Sequence, residues 1–139
     1  MPQHVVELVS KGFSNAHKEM KKAHIAVLGT SYKANVSDSR LTPAKKIIHK
    51  LMKLDANVKV FDPHCRASFG AETVDSVEEA ATGADCILIV TDHIEFKKLN
   101  LKEIAGRMNP RPFVVDAKRV FERTQAERSG LKYYGVGLG

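Results

Sequence analysis

The strongest constraint on the fold is a set of short, unbroken apolar runs. Ile25-Ala26-Val27-Leu28, Cys86-Ile87-Leu88-Ile89-Val90 and Phe113-Val114-Val115 show no alternation of apolar and polar residues. A strand with one wet face alternates, whereas a strand covered on both faces does not. A further strand is expected over Asn57-Val58-Lys59-Val60-Phe61-Asp62, ended by Pro63, which cannot donate to a ladder. A short one is expected near Thr73-Val74 and a last one over Tyr133-Tyr134-Gly135-Val136. Between these runs the periodicity turns helical. Val5, Val9, Phe13, Ala16 and Met20 predict a helix over residues 3–22, slightly weakened by Gly12. Thr42-Pro43 reads as N-cap and first helical residue, before an apolar face of Ala44, Ile47, Ile48, Leu51 and Met52 that fades near Asp55. Ser76 with Glu79 makes a capping box. Residues 94–108 hold one or two short helices, and Val120–Ser129 a helix stopped by Gly130. Covered strands alternating with amphipathic helices imply an α/β fold. The expected form is a doubly wound, mainly parallel, Rossmann-like sheet with an N-terminal helix.

Composition bounds the rest. The 139 residues fit one domain, and 43% hydrophobic with 27% charged residues is an ordinary soluble composition. No apolar run approaches the roughly 18 residues of a membrane span. The start, Met1-Pro2-Gln3-His4, lacks the features of a secretory signal. Cys65 and Cys86 are too few for a disulfide framework, so a cytoplasmic location is expected. The net charge of +6 comes from 22 Lys and Arg against 16 Asp and Glu. These are spread as Lys21-Lys22, Lys45-Lys46, Lys97-Lys98 and Lys118-Arg119, without interleaved aromatics. The charge therefore reads chiefly as a lysine-rich surface. No nucleic-acid reader motif accompanies it, so neither nucleic acid nor membrane is the expected partner.

In doubly wound folds ligands sit beyond the C-terminal ends of the strands. Here those ends lead into Thr30–Arg40, Asp62–Cys65, Thr91–His93 and Asp116–Arg119. The first crossover, Gly29-Thr30-Ser31-Tyr32-Lys33, occupies the place of a dinucleotide fingerprint, but it has one glycine, with bulky Tyr32 and Lys33 after it. A P-loop is also absent. The same loop offers Lys33 and Arg40 beside Tyr32, and Arg119 can converge on them from the fourth long strand. Lys suits phosphate as a point charge, Arg can hold two of its oxygens, and a ring can stack on a base. The plainer alternative is a solvated loop with a half-buried ring. Asp62, Asp92 and Asp116 follow strands, where such residues more often cap turns or helices than act chemically. His64, Cys65, Cys86 and His93 have no metal-ligand spacing, so no metal site is expected.

The stretch Ile25-Ala26-Val27-Leu28-Gly29-x-x-Tyr32-Lys33-x-Asn35-x-x-Asp38-x-Arg40-x-x-Pro43-Ala44 resembles the start of the C-terminal domain of UDP-glucose/GDP-mannose-type nucleotide-sugar dehydrogenases. Val58-Lys59-Val60-Phe61-Asp62-Pro63, Ala84-Asp85-Cys86, Thr91-Asp92-His93 with Phe96, and Asp116-Ala117-Lys118-Arg119-Val120 follow in the family's order. Met1-Pro2-x-His4-Val5-Val6 is similar to the end of the family's central helix, so the resemblance spans essentially the whole chain. It implies residues 1–23 as the end of that connecting helix and 24–139 as a UDP-sugar-binding α/β domain.

The family oxidises the C6 hydroxyl of a nucleotide sugar to a carboxylate with NAD, which is bound mainly by an N-terminal domain absent from this sequence. By position, Tyr32, Lys33 and Arg119 are implied as substrate contacts, and Arg40 as a contact to NAD on the other domain. The implied partners are the UDP-sugar and the N-terminal and central domains, with room for a homo-oligomer. Tyr32-Lys33, the Met-Pro-x-His start and Asp92-His93 look more like the branch acting on UDP-N-acetylhexosamines such as UDP-N-acetylmannosamine. Leu41-Thr42 stands where the family commonly has Glu-Ser, and Ala117 where it commonly has Gly. The glycine-rich catalytic Cys motif is missing, so no catalytic residue is expected and the chain alone should be inactive. The rival expectation is a non-enzymatic α/β module that binds a protein through its N-terminal helix.

Overall fold

The computed structural model describes residues 2–31 and 42–136. The first helix, α1 (Pro2–Asn15), leads into β1 (His24–Leu28). Then come α2 (Ala44–Lys53), β2 (Asn57–Phe61), β3 (Glu72–Thr73) and α3 (Val77–Ala81). β4 (Cys86–Ile89), α4 (Ile94–Lys97), α5 (Leu101–Arg107), β5 (Phe113–Asp116), α6 (Arg123–Arg128) and β6 (Lys132–Gly135) complete the order. Among the described residues the strands form one parallel sheet in the order β3-β2-β1-β4-β5-β6. That order belongs to the dinucleotide-binding doubly wound fold, with its switch point between β1 and β4.

Alternate side chains of β1, β4, β5 and β6 enter two cores. Ile25, Val27, Leu88, Phe113 and Val115 meet α1 and α2 on one face, while Ala26, Leu28, Ile87, Ile89 and Val114 meet α3, α4, α5 and α6 on the other. This double burial explains the unbroken apolar runs.

The N-terminal helix ends sooner than its apolar stripe. Lys18 N–H bonds Phe13 C=O at 3.0 Å and His17 N–H bonds Ser14 C=O at 3.1 Å, with His17 at φ 56°. This is a Schellman stop with histidine in the left-handed position. Val5, Val9 and Phe13 are buried in the α1–sheet core, so the apolar face expected to await a protein partner is already covered. Gly12 lies against Phe113, and a Cβ there would strike the ring.

Other bounds shift by small amounts. Thr42 Oγ1 accepts Ala44 N–H at 3.2 Å, with Pro43 as the capping residue of α2. Ser76 Oγ accepts Glu79 N–H as expected, but Glu79 reaches back to Asp75 N–H rather than to Ser76. The last helix starts at Arg123, because Val120 and Phe121 are drawn onto Asp116 by their N–H groups.

Candidate functional site at the carboxyl ends of the strands

Register brings the strand ends level. Leu28 pairs with Phe61 on one side and Ile89 on the other, and Ile89 pairs with Asp116. Gly29 therefore lies beside both Asp62 and Val90, with Gly29 N–H on Phe61 C=O at 2.9 Å and Val90 N–H on Leu28 C=O at 2.9 Å. Gly29 has φ +102°, and a Cβ there would lie 2.6 Å from the Cβ of Thr91. Glycine is required on both counts.

A buried polar knot forms where these ends meet. Asp62 Oδ2 accepts Thr30 N–H at 2.8 Å, Ser31 N–H at 3.1 Å and His93 Nε2 at 2.8 Å, while Oδ1 accepts His64 N–H at 2.7 Å. The side chains of Asp62 and His93 are both fully buried. Burial works to raise the Asp62 carboxyl, but the Thr30, His93 and His64 hydrogen bonds outweigh it and hold the group below the usual carboxylate range. Ser31 Oγ lies 2.9 Å from His93 Nε2, and Ser31 C=O accepts both Thr42 Oγ1 at 3.2 Å and Thr91 Oγ1 at 3.3 Å. Ser, His and Asp are thus together, yet serine and aspartate meet the same ring nitrogen. A nucleophilic triad needs them on opposite nitrogens, so this cluster builds structure rather than an activated serine. Thr30 Oγ1 is buried without a hydrogen-bond partner among the described residues.

A second knot centres on buried Asp116. Its carboxylate accepts Lys118 N–H at 3.3 Å, Val120 N–H at 3.0 Å, Phe121 N–H at 2.8 Å and Tyr133 OH at 3.0 Å. Burial first, and the charge of Asp116 next, push the Tyr133 hydroxyl upward. This turn carries Arg119 at φ 53°, with Nε on Val136 C=O at 3.3 Å. Arg119 is therefore placed at the edge the sequence suggested. Tyr32, Lys33 and Arg40 lie outside the described residues.

Asp62 and Asp116 act as turn-formers, as strand-end aspartates often do. The sequence reading missed His93 as the partner of Asp62. The one available signal was a histidine four residues beyond the end of a fully buried strand.

A groove of about 310 Å³ lies beside the first knot, lined by Asp62, Pro63, Cys65, Arg66, Thr73 and Asp75. A larger apolar groove of about 510 Å³ lies at the opposite end of the sheet, lined by Gly12, Arg111, Phe113, Lys132 and Tyr134. The smaller groove lies at the carboxyl ends of β2 and β3, on the edge of the sheet where doubly wound folds bind ligands. Cys86 is wholly buried in its strand, and burial pushes its thiol well up, away from reactivity. No helix among the described residues is long and apolar enough to cross a membrane.

Residues 26–123 match the model of the UDP-glucose/GDP-mannose dehydrogenase family, UDP binding domain. The chain belongs to that family. Its relatives include the UDP-N-acetyl-D-mannosamine dehydrogenase of Methanococcus vannielii, 32% identical over 100% of this chain and 32% of that protein. The UDP-glucose 6-dehydrogenase of Rickettsia felis is 35% identical over 86% of this chain and 28% of its own length. The solved UDP-D-ManNAc dehydrogenase of Pyrococcus horikoshii superposes with a TM-score of 0.86 at 30% identity, covering 99% of this chain and 31% of that one. The chain thus spans about a third of the length of the curated relatives it matches.

Proposed function

We propose that the chain is the nucleotide-sugar-binding domain of an NAD-dependent UDP-sugar 6-dehydrogenase. Residues 1–23 then form the end of a central connecting helix and 24–139 the UDP-sugar-binding domain. The observation that carries this reading is the family match across a sheet of dinucleotide-fold order whose first turn lacks the dinucleotide fingerprint. Tyr32, Lys33 and Arg119 contact the UDP-sugar, Lys33 by charge and Tyr32 by its ring. Arg40 reaches NAD held mainly by the N-terminal domain. This domain's own turn after β1 fits NAD poorly, because its Thr30 and Ser31 N–H groups are occupied by Asp62. The catalytic cysteine belongs to the parts of the enzyme outside this sequence, so the chain alone does not oxidise the sugar. The whole enzyme converts the C6 hydroxyl to a carboxylate, with UDP-N-acetylmannosamine as the favoured substrate. The N-terminal and central domains are its partners, and the compartment is the cytoplasm.

Calorimetric titration with UDP, UDP-N-acetylmannosamine and NAD tests the binding claim. Saturable heat with the two uridine ligands, none with NAD, and roughly tenfold weaker binding by Lys33→Ala are expected, about the 1.4 kcal/mol of one charge-assisted contact. Absence of any uridine-dependent heat, or a Lys33→Ala variant equal to the parent, would leave only the shared fold.

A further inference from the structure

In folds of this strand order, the backbone N–H groups that follow the first strand hold a ligand's phosphate at the switch point. Here two of those N–H groups, on Thr30 and Ser31, already hold an anion. Thr30 N–H and Ser31 N–H converge on one oxygen, Asp62 Oδ2, at 2.8 and 3.1 Å, and His93 Nε2 meets the same oxygen at 2.8 Å. His64 N–H closes on the other oxygen at 2.7 Å. A carboxylate and a phosphate present the same thing to such donors, a compact negative acceptor. The two cannot share the cradle, because both carry like charge and Asp62 is fully buried in place.

We propose that Asp62, held by His93, is an internal anion that fills the phosphate cradle after β1 and so determines which nucleotides the domain refuses. A dinucleotide pyrophosphate finds the Thr30 and Ser31 donors taken. Two further observations fit. Gly29 is pressed against Thr91, so the turn cannot move outward to admit a second anion. Ser31 C=O is tied to both Thr91 and Thr42, which holds in place the residue that supplies the second donor. Asp62 fills the cradle whatever ligand lies beyond it, so the assignment stands apart from the nucleotide-sugar reading.

The test uses the full chain and its Asp62→Ala variant, with inorganic phosphate, formate and UDP as probes and chloride as the ionic-strength control. The parent's Thr30 and Ser31 amide resonances should not move with phosphate. The variant should melt about 10 °C lower, having lost a carboxylate bound by several donors. Formate should raise its Tm saturably beyond the chloride control, and phosphate should shift its Thr30 and Ser31 amides. Saturable phosphate shifts of those amides in the parent would overturn the proposal. So would a folded Asp62→Ala variant that formate does not stabilise. If the variant does not fold, the parent spectrum still decides. UDP in the same samples separates the two readings. A parent blind to UDP sinks the nucleotide-sugar reading and leaves the cradle result standing.

Discussion

Gly12 shows how far residue-level propensity can mislead. It lies in the middle of α1, where replacement by alanine should favour the helix by about 1 kcal/mol. The Cβ of that alanine would strike the Phe113 ring. Phe113 is held edge-on between Phe13 at 5.0 Å and Tyr134 at 5.8 Å between ring centroids, so yielding would disturb both contacts. Overpacking of a tight core costs about 1–3 kcal/mol and outweighs the propensity gain. Gly12→Ala is therefore expected to lose about 1 kcal/mol in urea unfolding, and a gain would show that the helix can shift off the sheet. Thr30 makes the opposite case. Its hydroxyl is buried and unpartnered among the described residues, so it contributes nothing to offset its desolvation. Thr30→Val keeps the shape and should leave stability within about 0.5 kcal/mol of the parent, or raise it. A loss beyond about 1 kcal/mol would mean the hydroxyl has a partner in the folded chain. Neither outcome could be read from the sequence, because each depends on what the residue meets across the core.

At the scale of elements, the strands were more legible than the helix ends. Both-face burial writes itself into Cys86–Val90 as an unbroken apolar run, whereas the end of α1 is set by a backbone motif at His17 that no apolar spacing announces. Past that stop, Lys18 turns inward and bonds Asp85 Oδ1 at 3.0 Å, and Asp85 also accepts His24 N–H and Asn109 Nδ2. Asp85 thereby joins the end of α1 to the starts of β1 and β4. Burial works to raise its carboxyl, but the His24, Asn109 and Lys18 contacts outweigh it and hold it below the usual range. A lowered carboxyl means the unfolded chain takes up its proton first as pH falls. The stability Asp85 contributes is present above an unfolded value of about 3.9 and is lost as pH drops through the folded one. Asp85→Asn should cost about 1–2 kcal/mol at neutral pH. The deficit should shrink toward zero as parent and variant are compared below about pH 4. A pH-independent deficit would show that the geometry of the side chain matters and its charge does not.

For the whole molecule, alternation of covered strands and helices was enough to predict the sheet and its winding, because that pattern has few compact solutions. The candidate site was legible only in part. Arg119 and the aspartates could be placed at strand ends by counting, but the meeting of Asp62 with Thr30, Ser31 and His93 depends on register between strands far apart in sequence.

The same long-range packing decides whether α1 is an appendage or part of the folding unit. Val5, Val9 and Phe13 are buried in one core with Ile47, Leu88 and Phe113. Burying one Val or Phe side chain contributes about 1.5–3 kcal/mol, so three of them rival the roughly 5–15 kcal/mol that holds a domain folded. Removing the helix would also bare the Phe113 ring and the face of β5 beneath it. A chain shortened to begin at His24 should therefore lose its cooperative thermal transition and bind hydrophobic dye at room temperature. A sharp transition within a few degrees of the parent would show instead that α1 is only a connector resting on a sheet that folds without it.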